Sequence, residues 1–369
     1  MFLPTKNVPR YPRLCFYLDR IRGNAARVTD VCCSAGISVY AVTKGACADL
    51  RVAKAMSEGG CEAFADSRIQ NLASLRRAFP DKERLLIRTP MRCELGEVVQ
   101  NATCSAVSMV ELIEALETEC ATQKLLHDVL LMFDLGDRRE GILEHEMSMF
   151  VKVFKRCTRV RLRGVGVNFG CFAGTLPSAS ALERLLAARD FMESGLGYNV
   201  PICSGGATST LKLLEDGQLP QGINQLRIGG AVLMAGDSTW LRNVPWLRKD
   251  TMVFEAQIVE IREKPPWPEG PLGRDAPGRA RAFVGSGRRL RAVLAVGHQD
   301  IPMEGLTPLE YGVNILGCSS DHMILDVTDS AEPLKWGDVL HFGVGYDAML
   351  GLTTSPYICR TYFEGDVEV

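Results

Sequence analysis

The fold class is decided by three successive runs: VRLRGVGV at residues 160–167, ALERLLAARDFME at 181–193 and VPIC at 200–203. The first and third runs have the short, apolar character of buried strands. In the middle run Leu182, Leu185 and Leu186 recur on one helix face, and Ser178 stands where a helix N-cap belongs. Together the three runs predict one parallel strand–helix–strand unit.

The same alternation extends from about Ala26 to Gly230. The predicted helices cover residues 49–56, 69–79, 110–119 and 181–193. The predicted strands cover residues 37–42, 62–65, 85–88, 129–133, 160–167, 200–203 and 226–228. About eight such units in succession favour an α/β fold in which a (β/α)8 barrel of the TIM type closes, because right-handed crossovers curl a parallel sheet onto itself. An open, doubly wound sheet is the competing geometry.

The sequence pattern changes after Leu247. Residues 252–263 alternate between apolar and polar, a loop rich in proline and glycine follows at 264–278, and β-rich runs recur at 291–296, 323–327 and 339–343. No long helical pattern separates them, so we expect a C-terminal all-β domain. The predicted boundaries are 1–245 for the barrel and 246–369 for the β domain, with the strand near residues 13–18 a candidate to join the second.

Composition excludes several classes of protein. The chain has 369 residues, with 42 basic and 44 acidic side chains and a net charge of −2, which argues against broad nucleic-acid binding. No apolar run is long enough to span a membrane, and residues 1–13 contain prolines and charges unlike a signal peptide, so we expect a cytoplasmic protein. The thirteen cysteines and five histidines lack metal-ligand spacing, so we expect reduced thiols and no metal.

Polar residues follow several predicted barrel strands, at the rim where barrel enzymes place their chemistry. Lys44 ends the first strand, and a lysine there is either a solvated terminal charge or a desolvated amine able to form an imine. A charged loop occupies 134–141, and Asn168 follows the strand at 160–167. Glycines followed by hydroxyls at 204–209 suit a phosphate group, and Arg227 precedes the paired glycines of 229–230.

No one of these features is decisive, but together they describe a single site. An imine-forming lysine, a phosphate cradle from two glycine-rich loops and arginines at neighbouring strand ends are what pyridoxal phosphate requires. The motifs that carry a family resemblance are Val42-Thr43-Lys44, Phe64-Ala65-Asp66-Ser67-Arg68-Ile69-Gln70-Asn71-Leu72, Asp134-Leu135-Gly136-Asp137-Arg138-Arg139-Glu140-Gly141, Gly166-Val167-Asn168, Ser204-Gly205-Gly206, Leu226-Arg227-Ile228-Gly229 and Ser319-Ser320-Asp321-His322.

With these motifs the chain resembles the fold-type III pyridoxal-phosphate enzymes, and among them the alanine/ornithine racemase family, from about Arg13 to Tyr357. The resemblance implies a barrel of the alanine racemase N-terminal type that carries the cofactor. It also implies a β domain and a head-to-tail homodimer in which each β domain completes the partner's site. The expected substrate is a small-molecule amino acid.

The resemblance also implies roles for individual residues. Lys44 would be the imine-forming lysine, Arg227 would face the pyridine nitrogen, and Arg139 would lie near the phenolic oxygen and the substrate carboxylate. Ser319, Ser320 and Asp321 would lie near the substrate, with Asp321 as an acid. The remaining cofactor contacts implied by the resemblance are Asn168, Ser204, Thr208, Ser209, Gly229, Gly230 and Tyr357.

Racemisation removes a proton from one face of the α-carbon and returns one to the other, so two proton-handling groups are the simplest solution. Lys44 would serve one face. Alanine racemases carry a tyrosine for the other in a Val-Gly-Tyr-x-Asp context, and the matching segment here is Val296-Gly297-His298-Gln299-Asp300. A histidine titrates near neutrality, so His298 is chemically competent to replace that tyrosine; a purely structural hydrogen bond is the alternative.

Three departures from alanine racemase surround the expected substrate. Ala48 stands near the position of a tyrosine, Asn168 replaces a histidine, and Ser319-Ser320 replaces a Cys/Ser-Met pair. These changes indicate a larger or more polar substrate, and the resemblance favours ornithine or another basic amino acid. Alternatives are a fold-type III decarboxylase, a non-enzymatic pyridoxal-phosphate carrier, which the β domain argues against, and a cofactor-free barrel isomerase or aldolase.

Overall fold

The computed structural model describes residues 9–274, 278 and 287–369. Residues 1–8, which hold most of the segment judged unlike a signal peptide, and residues 275–277 of the predicted proline- and glycine-rich loop lie outside the described residues. Two units are distinguished: Arg20–Lys249 forms one, and the described part of residues 1–19 joins Asp250–Val369 in the other. The first strand, β1 (Arg13–Tyr17), belongs to the second unit and leads directly into helix α1 (Leu18–Cys33).

Within the described range 20–249, eight parallel strands close into a barrel. They are β2 (Ser38–Val42), β3 (Ala63–Asp66), β4 (Arg84–Leu86), β5 (Cys104–Val107), β6 (His127–Phe133), β7 (Val160–Val167), β8 (Ile202–Ser204) and β9 (Gln225–Ile228). The last strand pairs with the first of them, Ser38 lying opposite Gln225 and Tyr40 opposite Arg227. This pairing confirms the predicted closed barrel and excludes the open doubly wound sheet.

One barrel strand, β5, escaped the sequence prediction. It has only four residues, CSAV, and a single β-branched side chain among them, so it offers little strand signal. Its position is nevertheless fully buried, and the hydroxyl of Ser105 lies 2.8 Å from Nε2 of His127 on the neighbouring strand β6. This segment therefore forms a strand because it is buried inside the barrel, although its local propensity does not indicate one.

Helices follow the barrel strands, as a chain of right-handed crossovers requires. They are α2 (Leu50–Glu58), α3 (Ile69–Ala78), α4 (Leu95–Asn101), α5 (Val110–Gln123), α6 (Met147–Phe154), α7 (Ala179–Leu196), α8 (Leu211–Glu215) and α9 (Gly230–Met234). The predicted cap at Ser178 is confirmed, because its hydroxyl accepts a hydrogen bond from the Ala181 N–H. Asp49 caps α2 in the same way, accepting from the N–H groups of Arg51 and Val52.

The second unit is built on an antiparallel-rich sheet, which confirms the predicted all-β domain. A two-residue ribbon, β10 (Gly236–Asp237) with β11 (Arg242–Asn243), precedes it in the barrel unit. The remaining strands are β12 (Met252–Lys264), β13 (Arg289–Leu294), β14 (Leu306–Pro308), β15 (Asn314–Cys318), β16 (Met323–Asp326), β17 (Val339–Val344), β18 (Cys359–Glu364) and β19 (Val367–Glu368). Strand β1 lies between β12 and β18 in this sheet, and a nine-residue helix, α10 (Tyr346–Thr354), precedes β18.

Apolar side chains fill the barrel interior, so the barrel is a packed core rather than a channel. They come from successive strands: Tyr40, Val42, Ala63, Ala65, Leu85, Cys104, Ala106, Leu130 and Met132. Two glycines on β7, Gly164 and Gly166, make room for the larger neighbours. A Cβ at Gly164 would lie 2.5 Å from both the Cβ and the carbonyl oxygen of Ile202 on β8.

In the described part of the chain, no helix combines the length and the apolar character that a membrane crossing requires.

The close approach of β7 to β8 generates a stability prediction. Gly164→Ala should lower the free energy of unfolding by about 1–3 kcal/mol, because the backbone of β8 cannot yield easily. The matched control is Gly23→Ala: Gly23 is exposed in α1, and its Cβ would meet nothing within 4 Å. That change should be neutral or stabilise by up to about 1 kcal/mol through helix propensity. Urea unfolding measures both, and equal effects would contradict the observed strand packing.

Candidate active site

The predicted barrel residues gather at the carboxyl ends of the strands. Lys44 lies two residues beyond β2 and begins a single 3₁₀ turn, Lys44–Ala46. Asn168 directly follows β7, Ser204 ends β8, and Arg227 is the last residue but one of β9. All parallel strands of a barrel end at the same rim. Lys44 and Arg227, although 183 positions apart in the chain, therefore lie at one barrel mouth.

The loop that carries Lys44 is fastened by a buried carboxylate, Asp66. Its side chain is 0% exposed at the end of β3 and accepts a 2.7 Å hydrogen bond from the hydroxyl of Thr43, the residue before Lys44. Its other oxygen accepts from the Arg68 N–H at 2.9 Å and from Nδ2 of Asn71 at 3.0 Å. Burial raises the pKa of Asp66, while these hydrogen bonds oppose the rise. Asp66 therefore fixes the backbone that presents Lys44.

Lys44 itself is half-buried, and its ammonium has no hydrogen-bond or ion-pair partner among the described residues. The turn after it is strained, because Cys47 (φ 50°) and Ala48 (φ 49°) both adopt the left-handed region without being glycine. Hydrogen bonds from the Cys47 N–H to the Lys44 carbonyl and from the Ala48 N–H to the Thr43 carbonyl hold this turn closed. An uncommitted amine on a fixed turn is suited to covalent chemistry.

Arg227 is the most deeply buried positive charge at the rim, with 4% of its surface exposed. One terminal nitrogen donates to the Ser204 hydroxyl, and the other donates to the Val167 carbonyl at 2.6 Å and to Oδ1 of Asn168 at 2.9 Å. No described residue accepts a hydrogen bond from its Nε. Burial lowers the pKa of Arg227 to about 10, so the guanidinium remains charged at neutral pH.

The charged loop at 134–141 folds back on the same rim. Arg139 forms an ion pair with the adjacent Glu140, and Glu140 in turn accepts a 2.7 Å hydrogen bond from Nδ2 of Asn168. Asp137, which is nearly buried, accepts from the N–H groups of Phe172 and Ala173 and so ties this loop to the segment after β7. The structure therefore joins Arg139, Asn168 and Arg227 in one connected cluster.

The second part of the rim suits an anion. Ser209 is 3% exposed, and its hydroxyl oxygen is buried without a hydrogen-bond partner in the described chain. The 3₁₀ turn Thr208–Thr210 begins with N–H groups that such a turn cannot satisfy internally. The Thr208 hydroxyl accepts a 3.3 Å hydrogen bond from the Ala231 N–H, which links this turn to the loop after β9.

Gly229 adjoins this candidate anion-binding region and lies close to the first barrel strand. A Cβ at Gly229 would lie 3.0 Å from both the carbonyl oxygen and the Cβ of Val42, so a larger residue here would crowd β2. On the outer side Trp240 donates from its indole N–H to the Ser209 carbonyl at 2.9 Å. An orphaned buried hydroxyl beside free N–H groups fits a phosphate, and a charged guanidinium with an uncommitted Nε fits an aromatic nitrogen acceptor.

The other predicted site residues lie in the second unit, where three segments meet. The N–H groups of His298 and Gln299 donate to the carbonyls of Ser319 and Ser320, both at 2.9 Å. The exposed carboxylate of Asp321 accepts from the hydroxyls of Ser319 and Ser320, and His322 Nδ1 lies 3.0 Å from it. These contacts, the His322 pairing first, hold the pKa of Asp321 below its usual value.

Tyr357 joins the same group of segments through Ser355. The Ser355 hydroxyl donates to Asp300 at 2.7 Å and accepts from the Tyr357 N–H at 3.1 Å, while the Tyr357 side chain is 72% exposed. Asp300 belongs to the Val-Gly-His-x-Asp segment that carries His298. The structure thus brings His298, the Ser319–Asp321 segment and Tyr357 together within this unit.

Comparison with known proteins adds a second line of information. Residues 17–237 match the family model described as "Alanine racemase, N-terminal domain". The chain belongs to this family. A lysine racemase of Thermotoga maritima is 37% identical over 352 residues, covering 95% of this chain and 98% of the relative. An ornithine racemase of Acetoanaerobium sticklandii is 36% identical over 349 residues, covering 94% of this chain and 98% of the relative.

Among solved structures, the fold of this family member is similar to that of an alanine racemase from Clostridium difficile 630. The two share a TM-score of 0.77 and 16% sequence identity, over 99% of this chain and 98% of the other. At that identity the likeness concerns the fold. It accords with the closed barrel and the sheet unit. Separately, the described residues contain no group of three or more side chains that could hold a metal ion.

Three residues that form hydrogen bonds at the barrel rim were not predicted from the sequence to do so: Asp66, Glu140 and Trp240. Asp66 and Glu140 lie inside recognised motifs, but their hydrogen-bond partners are distant in the chain. Asp66 binds Thr43, 23 positions away, and Glu140 binds Asn168, 28 positions away. Trp240 lies in the ribbon region, which has no motif. A buried acid inside a recognised motif was the available signal for Asp66, and nothing in the sequence indicated Trp240.

The role of Asp66 can be tested by stability. Asp66→Ala should lower the free energy of unfolding by about 3 kcal/mol, because one buried and two partly buried donors would lose their acceptor. Asp66→Asn should cost less than about 1 kcal/mol, since its oxygen can accept from Arg68 and Asn71 while the Thr43 hydroxyl reverses to accept. Denaturant unfolding compares the two, and an alanine variant as stable as the asparagine variant would refute the assigned hydrogen-bond network.

Proposed function

We propose that this chain is a pyridoxal-phosphate-dependent racemase that interconverts the L and D forms of a basic amino acid such as lysine or ornithine. The observation that carries the proposal is the identity of 36–37% over about 95% of the chain with two racemases of basic amino acids. The rim geometry supports it, because an uncommitted lysine, a buried arginine and an anion-binding region share one barrel mouth.

Pyridoxal phosphate, when bound, supplies an aldehyde that condenses with amines and a ring that takes up the electron pair left by a departing α-proton. Lys44 would hold it covalently. Ser209, with Thr208, Gly229 and Gly230, would hold its phosphate, and Tyr357, Ser204 and Asn168 are the remaining proposed contacts. These residues supply the charge, hydroxyl and N–H donors that a phosphorylated pyridine needs.

Two side chains would move the proton at the substrate's α-carbon. The Lys44 amine would act on one face, and the His298 imidazole would act on the other. His298 is half-buried, and its backbone is held by Ser319. The turn held by Asp66 would keep Lys44 in reach of the proton, because the catalytic benefit of a base depends on its position.

Arg227 would donate from Nε to the ring nitrogen. With a pKa of about 10 it remains protonated at neutral pH, so it donates a hydrogen bond but does not give up its proton. Arg139 would bind the substrate carboxylate, since a guanidinium matches a carboxylate in geometry and charge. Asp321, with Ser319 and Ser320, would contact the rest of the substrate, where an acid suits a basic side chain.

The proposal includes a head-to-tail homodimer, as the resemblance implies, and a cytoplasmic location. In such a dimer His298, Asp321 and Tyr357 would complete the site of the partner subunit. The β domain's role in catalysis is then to provide the second proton-handling group, which a barrel alone lacks.

Incubation with L- and D-lysine, L- and D-ornithine and L-alanine in deuterated water tests the activity. We expect α-deuteration with inversion for a basic amino acid and a much slower reaction with alanine. Lys44→Ala should lower the racemisation rate by at least about a thousandfold, since it removes both the covalent link and one base. Borohydride should trap the cofactor on Lys44, detected by peptide mass analysis.

The matched control is Lys54→Ala, because Lys54 is exposed on α2 and forms an ion pair with Glu58 away from the rim. It should leave the rate unchanged. Release of carbon dioxide would indicate a decarboxylase instead. Cofactor binding without exchange of any amino acid would indicate a carrier, and a protein that stays colourless with pyridoxal phosphate would overturn the proposal.

His298→Ala should slow proton abstraction from one enantiomer far more than from the other, because each base serves one face. Initial rates of α-deuteration from pure L and pure D substrate measure this directly. Mixing Lys44→Ala and His298→Ala subunits, neither of which should racemise its substrate alone, should restore about a quarter of the wild-type racemisation rate, because half of the randomly formed dimers carry one intact site. Equal slowing of both enantiomers would remove His298 from the mechanism.

A further inference from the structure

Glu140 forms hydrogen bonds with two residues that are proposed to act in the site, Arg139 and Asn168. Its carboxylate receives two N–H groups of Arg139, one of them at 2.6 Å, in a bidentate ion pair. The same carboxylate accepts a 2.7 Å hydrogen bond from Nδ2 of Asn168. About a quarter of the Glu140 side chain is exposed, so these contacts lie at the rim and are only partly screened by water.

A carboxylate can only accept hydrogen bonds, and this property determines which way the Asn168 amide faces. Its nitrogen must face Glu140, so its oxygen faces Arg227 and accepts from Nη2 at 2.9 Å. The Arg227 guanidinium, which can only donate, favours the same orientation. A neutral amide in place of Glu140 could donate as well as accept, and as a donor it would compete with Arg227 for the Asn168 oxygen. Glu140 therefore influences the hydrogen bonding of Arg227 through Asn168, without a direct contact between Glu140 and Arg227.

The consequence for Arg227 is positional. Its two terminal nitrogens are committed to Ser204, Val167 and Asn168, which leaves Nε as the donor without a partner in the described chain. If the Asn168 oxygen turned away, Nη2 would keep only the Val167 carbonyl as an acceptor, and the guanidinium would be held less firmly. The charges of these neighbours also affect Arg227: burial lowers its pKa most strongly, Glu140 raises it and Arg139 lowers it.

We propose that Glu140 is a positioning residue that acts in two directions. Directly, it holds Arg139 for the substrate carboxylate. Through the Asn168 amide, it holds Arg227 so that Nε is the donor left for the cofactor's ring nitrogen. This inference rests on the proposed function, because it assigns a partner to Arg227 only if pyridoxal phosphate binds at the rim.

The two directions predict separable effects for Glu140→Gln. Acting through Asn168, the change should weaken the affinity of the apoprotein for pyridoxal phosphate by roughly tenfold, as expected when a charge-assisted contact is lost. Acting on Arg139, it should raise KM for the amino acid. A quenching titration of tryptophan fluorescence with pyridoxal phosphate measures the first effect without any turnover, and Glu140→Asp should recover part of it.

A double-mutant cycle tests the route. In an Asn168→Ala background the relay is absent, so Glu140→Gln should then leave cofactor affinity unchanged while still raising KM. The matched control is Glu144→Gln: Glu144 forms the same kind of bidentate pair with Arg184, at 2.9 and 2.6 Å, on an exposed surface. It should change neither quantity. Thermal unfolding of each apoprotein shows whether the variant is folded.

The outcomes separate the two proposals. If the wild-type chain binds pyridoxal phosphate and racemises its substrate but Glu140→Gln behaves like wild type, the positioning role is wrong and the proposed function stands. If the two single changes add fully in cofactor affinity, Glu140 does not act through Asn168 and the relay is wrong. If the wild-type chain fails to bind pyridoxal phosphate, both proposals fall.

Discussion

Closure of the barrel by the pairing of β9 with β2 is the constraint on which the rest of the barrel unit depends. Eight short parallel strands can satisfy their backbone groups without an exposed edge only if the first and last of them pair. That pairing places Tyr40 opposite Arg227 and brings the loop after β9 against the loop after β2. The segments that carry Lys44 and Gly229, at opposite ends of the barrel sequence, thereby become neighbours at the rim, and a Cβ added to Gly229 would lie 3.0 Å from Val42.

Closure of the barrel has an electrostatic cost, because it buries the positive charge of Arg227 at the rim. The guanidinium of Arg227 is almost wholly removed from water and would be costly without hydrogen-bond partners. The structure compensates with a carbonyl, a hydroxyl and an amide oxygen from two adjacent strands and the loop after β7. The negative charge of Glu140 raises the pKa of Arg227 and so opposes the effect of burial. The acceptors around Arg227 thus help to keep it charged and also fix its orientation.

The same physics applies to the other half of the rim and to the sheet unit. Asp66 is buried and ionisable, and three donors converge on it to fix the turn that carries Lys44. In the sheet unit Asp300 plays an equivalent part, since Ser355 links it to the backbone of Tyr357. In each case a short-range network around one carboxylate sets the position of a residue with proposed chemistry.

Periodicity and strand-end chemistry were sufficient to predict the closed barrel, the sheet domain and the residues at the rim, because apolar spacing and strand-terminal polar groups are local properties of the chain. The seven predicted strands, the Ser178 cap and the positions of Lys44, Asn168 and Arg227 after or within strands all have that local origin. Strand β5 and the contacts of Asp66, Glu140 and Trp240 do not. Burial inside a closed barrel makes Cys104–Val107 a strand, and only the folded rim brings Glu140 to Asn168 and Asn168 to Arg227, because those hydrogen bonds join groups that chain order leaves 28 and 59 residues apart.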